Sequence, residues 1–262
     1  MNRSKSNTGK IGLSLHTQKL AVRPDNRRVW EKSSETVQWS ASETALLISD
    51  MWDRHWSRGA TIRSADMAPA LDAFVTRCRN AGITIVHAPS DTMDFYAESP
   101  ARLRLLATEW VPVPEHLEKL PSIPLPIDDS DGGSDTGEPE AEVNKKVWTR
   151  QHSGIGIDET RDIVAGDEGH LIYSYFQKQG IRYLLYVGVH ANMCILNRTF
   201  GIKRMSKLGI SCALVRDLTD AMYNPARSPY VSHEEGTQLV VDYVEKFWCS
   251  SVSCNEIIPI SN

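Results

Sequence analysis

Tyr183-Leu184-Leu185-Tyr186-Val187 is a continuously apolar run of strand-forming residues, and it leads through Gly188-Val189-His190-Ala191-Asn192-Met193 to Cys194. After Cys194 come Ile195-Leu196-Asn197-Arg198-Thr199-Phe200-Gly201-Ile202-Lys203-Arg204-Met205, with apolar residues at helical spacing. A second apolar run, Cys212-Ala213-Leu214-Val215, closes on Arg216-Asp217. Strand, turn, helix and strand make one βαβ unit. Cys194 then falls in the first helical turn, beyond the carboxyl end of a parallel strand, where open α/β sheets bind ligands. The free N–H groups and dipole of the helix start favour a thiolate there. Most free cysteines are small buried apolar residues. A strand-to-helix corner suits attack better than core packing, and Cys194 is read as a nucleophile.

The same alternation extends to both sides. Thr44-Ala45-Leu46-Leu47-Ile48 is a short apolar strand ending at Ser49-Asp50. Met67, Leu71, Phe74, Val75 and Cys78 form one apolar helix face that Gly82 terminates, and Ile83-Thr84-Ile85-Val86 is the next strand, ending at His87. Lys145 to Thr149 reads as a third strand, Asp167 to Gln179 as a helix stopped by Gly180, and residues 233–248 as a final amphipathic helix. Alternating strands and helices predict an α/β fold with a mostly parallel sheet covered on both faces. Residues 1–43 read as a polar, irregular N-terminal arm with one strand at Ile11 to Leu15, tacked onto the body by Trp30 and Trp39; residues 44–262 form the domain proper. Residues 121–142, rich in Pro, Gly and Asp, read as a solvated acidic loop.

With 262 residues the chain can bury one substantial core. A formal net charge of -4 gives no global basic surface for nucleic acid or an anionic membrane. No apolar run approaches the roughly 20 residues of a membrane helix, and the first ten residues lack the apolar stretch of a secretory signal. The five cysteines are scattered and odd in number. These features predict free thiols in a cytoplasmic protein.

Reactive side chains collect at the strand ends: Asp50 after the first strand, Lys145, Lys146 and Arg150 around the third, and Cys194 after the fourth. A carboxylate beside a thiol can take its proton, and a cation nearby stabilises the thiolate and keeps the carboxylate ionised. Backbone N–H groups at the Cys194 turn, from Val189 and His190 to Cys194, would bind an oxyanion. Trp52 and Trp56 beside Asp50 suggest an aromatic pocket wall, with core packing as the alternative. His190 and His87 are further candidates for substrate contact, and either can equally serve as a structural residue.

The strand ending in Asp50, the basic residue after the middle strand, Gly188-Val189-His190-Ala191-Asn192-Met193-Cys194, Leu214-Val215-Arg216-Asp217 and Ala221 resemble the isochorismatase-like cysteine hydrolases, a family that includes nicotinamidases and N-carbamoylsarcosine amidases. The resemblance covers Thr44 to Phe247. It implies a Rossmann-like three-layer α/β/α sandwich, commonly homo-oligomeric, and a triad of Asp, Lys and Cys. Asp50 would be the general base and Cys194 the nucleophile, with a non-proline cis peptide just after Val189. Alignment against Ser153-Gly154-Ile155 places Lys145, Lys146 or Arg150 at the cation position, with Arg150 and Lys146 ahead. His87-Ala88-Pro89-Ser90-Asp91 departs from the Asp-x-His of nicotinamidases, so no metal and no cofactor are expected. The activity implied is hydrolysis of an amide-type C–N bond of a small molecule through a thioester. The alternatives are a non-catalytic binding or interaction protein on the same fold and an isochorismatase cleaving a vinyl ether, a reaction that does not need the cysteine.

Overall fold

Why the Cys194 corner is an active place in the fold is explained by the strand order. In the computed structural model, which describes residues 9–114 and 123–260, β3 (Thr44–Ser49) and β6 (Tyr183–Val189) are parallel neighbours at the centre of a nine-stranded sheet. On one side β3 is followed by β4 (Thr84–Ala88) and β5 (Ile163–Val164), on the other β6 by β7 (Ser211–Asp220) and β8 (Ser250–Val252), all parallel. The chain therefore winds outward in both directions from the β3/β6 boundary. Such a topological switch point opens a crevice outside the carboxyl ends of its two strands, and open α/β sheets bind ligands in that crevice. Asp50 follows β3 and Cys194 follows β6, so both stand at its mouth.

Period-two alternation along the buried strands divides the core in two. Ala45, Leu47, Val86, Leu184, Tyr186 and Leu214 point to one face. There they meet α3 (Gly169–Gln179), α4 (Cys194–Asn197), α5 (Ile202–Lys207) and α6 (His233–Phe247). Leu46, Ile48, Ile85, Leu185, Val187, Ala213 and Val215 point to the other, against Ala68, Leu71, Phe74, Val75 and Cys78 of α1 (Arg58–Asn80). The mostly parallel sheet between two helical layers is the predicted architecture. A short α2 (Pro100–Leu106) seats Ala101 against Val164 of β5.

Two segments differ from the sequence reading. Lys145 to Thr149 forms no strand; β5, two residues long and fully buried, takes the edge position beside β4. Neighbouring Lys, Thr and Arg side chains cannot be buried on both faces there, whereas Ile163 and Val164 can. The N-terminal region, read as irregular, forms a long antiparallel hairpin of β1 (Lys10–Val22) and β2 (Arg28–Ser40), which extends the sheet through β8 and through β9 (Ile257–Ile260). Its many Ser, Thr, Lys and Glu residues fit a ribbon exposed over much of its surface, and the apolar anchor Ile11, Leu13 and Trp39 closes one core layer. Pro121 and Ser122, the first residues of the acidic loop, lie outside the described residues.

The junction of β3 and β6 requires a glycine. Gly188 has φ +96°, and a Cβ there would lie 2.3 Å from the Ser49 carbonyl oxygen. Gly188→Ala is expected to lower stability by about 3 kcal/mol or more, through strain at positive φ plus a backbone clash, with urea unfolding as the check. An unchanged midpoint would contradict this packing.

Candidate functional site

Asp50 leaves β3 in a left-handed conformation, φ +44°, unusual for a residue with a side chain. The turn sends its carboxylate sideways into the crevice, and Asp50 is 0 % exposed. Such residues persist only where the surroundings hold them, and they cluster at functional sites. One carboxylate oxygen accepts the Ser90 backbone N–H at 2.8 Å. The other accepts from Arg198 Nε at 3.2 Å. Ser90 follows β4, so three elements hold one carboxylate.

The cation beside Asp50 is thus Arg198, which the sequence reading did not single out. It lies one helical turn beyond Cys194, with its backbone N–H still bonded to the Cys194 carbonyl oxygen at 3.0 Å. Residues four apart share a helix face, so the spacing Cys194–Arg198 was a usable signal. The three expected cations are placed otherwise. Lys145 pairs with Glu142 at 3.0 Å on the surface. Lys146 donates to the Asp91 carbonyl oxygen, and Arg150 lies over the Phe95 ring, 5.3 Å from its centroid. Without a strand at 145–149, none of the three is bonded to Asp50; Lys146 stops at Asp91, whose carboxylate pairs with Arg198. Arg198 also donates through Nη1 to Asp167 and through Nη2 to Asp91, each at 3.3 Å. Asp167 in turn accepts from the Thr199 backbone N–H at 2.8 Å and hydroxyl at 2.6 Å.

Cys194 is half-buried and close enough to Asp50 for each to shift the other. Burial raises the Asp50 carboxyl above the ordinary carboxylate range, and Arg198 acts against this. Burial and the Asp50 charge likewise hold the Cys194 thiol well above its ordinary range, against the opposing pull of Arg198. Burial thus pushes both groups of the pair toward their protonated forms, and Arg198 is the cation that opposes this on each. The helix start does little here to offset burial and favour a thiolate. α4 ends after Asn197, and so short a helix sums few peptide dipoles. Proton release to bulk water would leave two buried anions on one cation, so the thiol proton has one near destination, Asp50.

The turn itself has the expected cis peptide between Val189 and His190. The His190 carbonyl oxygen accepts from the N–H groups of Met193 and Ile195, at 3.1 and 3.2 Å. The His190 backbone N–H is directed at the Cys194 sulfur. Asn192 braces the turn: its side chain accepts the Met222 N–H at 2.9 Å, and its Nδ2 donates to the Met222 carbonyl oxygen at 3.0 Å and to Asp129 at 2.8 Å.

Cys194 opens onto a cavity of about 400 Å³ lined by Leu125, Asp129, Asp167, Asn192, Asn197 and Arg198, with Met193. A larger groove, about 580 Å³, continues from it past Trp110, His170 and Leu208. The residues read as substrate contacts lie elsewhere. Trp52 is buried, donates from Nε1 to the Ser90 carbonyl oxygen at 3.0 Å and stacks on Trp148. Trp56 packs over Gly132. His87 is fully buried, with one ring nitrogen 2.9 Å from Gln151 Oε1 and the other 3.1 Å from Asp162, which makes it part of a packed polar network rather than a free ligand. His190 is 2 % exposed, its ring faces His55, and burial pushes its pKa down to about 3. Among the described residues no group of three His, Cys, Asp or Glu side chains could hold a metal ion.

Beneath the turn, Asp220 at the end of β7 accepts from His233 Nε2 at 2.8 Å and from Arg63 Nε at 2.8 Å, and its carbonyl oxygen accepts the Ala191 N–H. Although burial opposes it, the hydrogen bond from His233 and the flanking charges depress the Asp220 carboxyl to about 2. A depressed folded-state pKa contributes stability that is present above the unfolded value and lost as pH falls through the folded value. The contribution is roughly 2 kcal/mol, lost between about pH 4 and pH 2. Asp220→Asn is expected to flatten the melting temperature against pH in that window; an unchanged slope would contradict the coupling.

No family model matches the chain, and no curated protein matches it. Solved structures do. A cysteine hydrolase from Pseudomonas syringae pv. phaseolicola 1448A is 13% identical with a TM-score of 0.52, covering 83% of this chain and 92% of that one. An isochorismatase from Pseudomonas putida KT2440 is 16% identical with a TM-score of 0.46, over 83% and 91%. A pyrazinamidase of Pyrococcus horikoshii in complex with zinc is 15% identical with a TM-score of 0.44, over 80% and 99%. At these identities the likeness is one of fold.

Proposed function

We propose that this chain, which shares its fold with a cysteine hydrolase, is itself a cysteine-dependent hydrolase that cleaves an amide-type C–N bond of a small molecule through a thioester. The observation that carries this reading is the convergence of Asp50, Cys194 and Arg198 at the switch point. Asp50 takes the thiol proton as the sulfur attacks the carbonyl carbon. The carbonyl π pair moves to oxygen, where the backbone N–H groups of the Cys194 turn stabilise the charge. Collapse of this intermediate breaks the C–N bond while Asp50 returns the proton to the leaving nitrogen. Asp50 then deprotonates the incoming water. Hydroxide attacks the thioester, the C–S bond breaks, and the thiolate recovers its proton.

Arginine in place of lysine shapes this scheme. A guanidinium keeps its protons, so Arg198 holds charge and position while one proton moves between Cys194 and Asp50. Vinyl ether cleavage would leave Cys194 without a role, and a binding protein would need no base beside the thiol.

The test is product release from a panel of small amides and ureido compounds, with intact-protein mass spectrometry of acid-quenched turnover. An acyl adduct on wild-type protein, absent from Cys194→Ala, is the expected result. Turnover that survives Cys194→Ala would overturn the thioester route.

A further inference from the structure

The walls of the Cys194 cavity carry an unbalanced negative charge. Arg198 is its one positively charged lining residue among those described, and its three guanidinium nitrogens are already engaged by Asp50, Asp91 and Asp167. Asp129 lines the same cavity; its carboxylate accepts from the neutral Asn192 amide and has no ion pair among the described residues. Other cations stand close by without lining the cavity: Arg204 lines the adjoining groove, and Arg227 is turned to Ser130, Asp128 and Asp131. Lys146 is turned to the Asp91 carbonyl oxygen, and Lys203 is held by Asn197 Oδ1 at 2.8 Å and by the Trp248 ring. The wall around the sulfur therefore presents two carboxylates, Asp129 and Asp167, beside one guanidinium that the buried Asp50 already neutralises.

From this we infer that the substrate is a cation: a small amide bearing a protonated amine, its carbonyl carbon over Cys194, its alkyl part against Leu125 and its ammonium group at the Asp129 carboxylate. A cleft whose walls carry a net excess of one sign of charge concentrates ligands of the opposite sign. It also rejects anions such as amides carrying a free carboxylate. The inference rests on the hydrolase reading only for the reaction, because charge selection at the sulfur can be measured whether or not any amide is turned over.

The experiment compares two thiosulfonate reagents of similar size, one ending in an ammonium group and one in a sulfonate. Each transfers its alkylthio group to the Cys194 sulfur and expels a sulfinate, and mass spectrometry counts the adduct in wild-type protein and in a Cys194→Ala control. Relative to a small free thiol, the cationic reagent is expected to react on the order of tenfold faster than the anionic one. The preference should shrink in Asp129→Asn and with added salt, as screening requires. A ratio equal to that of the free thiol, or reversed, overturns the inference even if amides are hydrolysed. If the ratio stands while no amide is turned over, the hydrolase reading fails and the cation site remains. A folding defect in Asp129→Asn leaves the wild-type ratio and its salt dependence as the deciding measurements.

Discussion

Asp50→Asn is expected to lower kcat/KM by about 10³-fold or more, close to the loss in Cys194→Ala, because the two residues share one proton and act as a unit. The amide of asparagine is nearly isosteric, so it can keep the hydrogen bond from the Ser90 N–H while losing the ability to accept a proton. The effect is large because the thiol has no second route to its nucleophilic form. Its pKa stands well above the ordinary range through burial and through the Asp50 charge, and the nearby histidines do not line its cavity. Alkylation by neutral iodoacetamide gives a second readout. Removing the anion relieves the repulsion that holds the thiol up, so Cys194 in Asp50→Asn should ionise at lower pH than in wild type. Turnover would fall while the thiolate becomes easier to form. A protein in which both fall together has lost its fold at the site, and one in which turnover survives does not use Asp50 as its base.

The parts of this arrangement legible in the sequence are those that local pattern encodes. The apolar runs 44–48 and 183–187 announced buried parallel strands, and the turns after them placed Asp50 and Cys194 at a common edge. The cation was misread because it depended on a strand at 145–149 that does not form. Two lysines in succession cannot occupy a sheet buried on both faces, a rule that could have redirected attention to Ile163-Val164 and then to the helical position of Arg198. The hairpin of residues 10–40 was obscured because exposed strands lack the apolar alternation of buried ones. Contacts such as Ser90 to Asp50, or Asn192 to Asp129, join residues 40 and 63 positions apart. Such pairings are properties of packing, and no local spacing signals them.

Arg198→Met should be the more damaging change to the protein as a whole. It removes the cation that does most to offset the burial of Asp50, and a buried carboxylate left without its partner costs about 3–5 kcal/mol unless it takes up a proton. The direction in pH is set by the two opposing influences on Asp50. Burial raises its pKa and Arg198 lowers it, so loss of Arg198 moves the pKa further up. The base must be ionised to work, and the acid limb of kcat/KM should therefore shift to higher pH, with turnover near neutrality falling by about 10²-fold or more. Arg198→Lys should recover part of both losses, since an ammonium can reach one of the three carboxylates but cannot span them. The double variant Asp50→Asn/Arg198→Met supplies the decisive comparison. With no buried charge to orphan, its stability should exceed that of Arg198→Met alone, although it carries one more substitution. Additive losses would mean that Arg198 stabilises the fold through Asp91 and Asp167 rather than through Asp50, and the triad would then reduce to a dyad of Asp50 and Cys194.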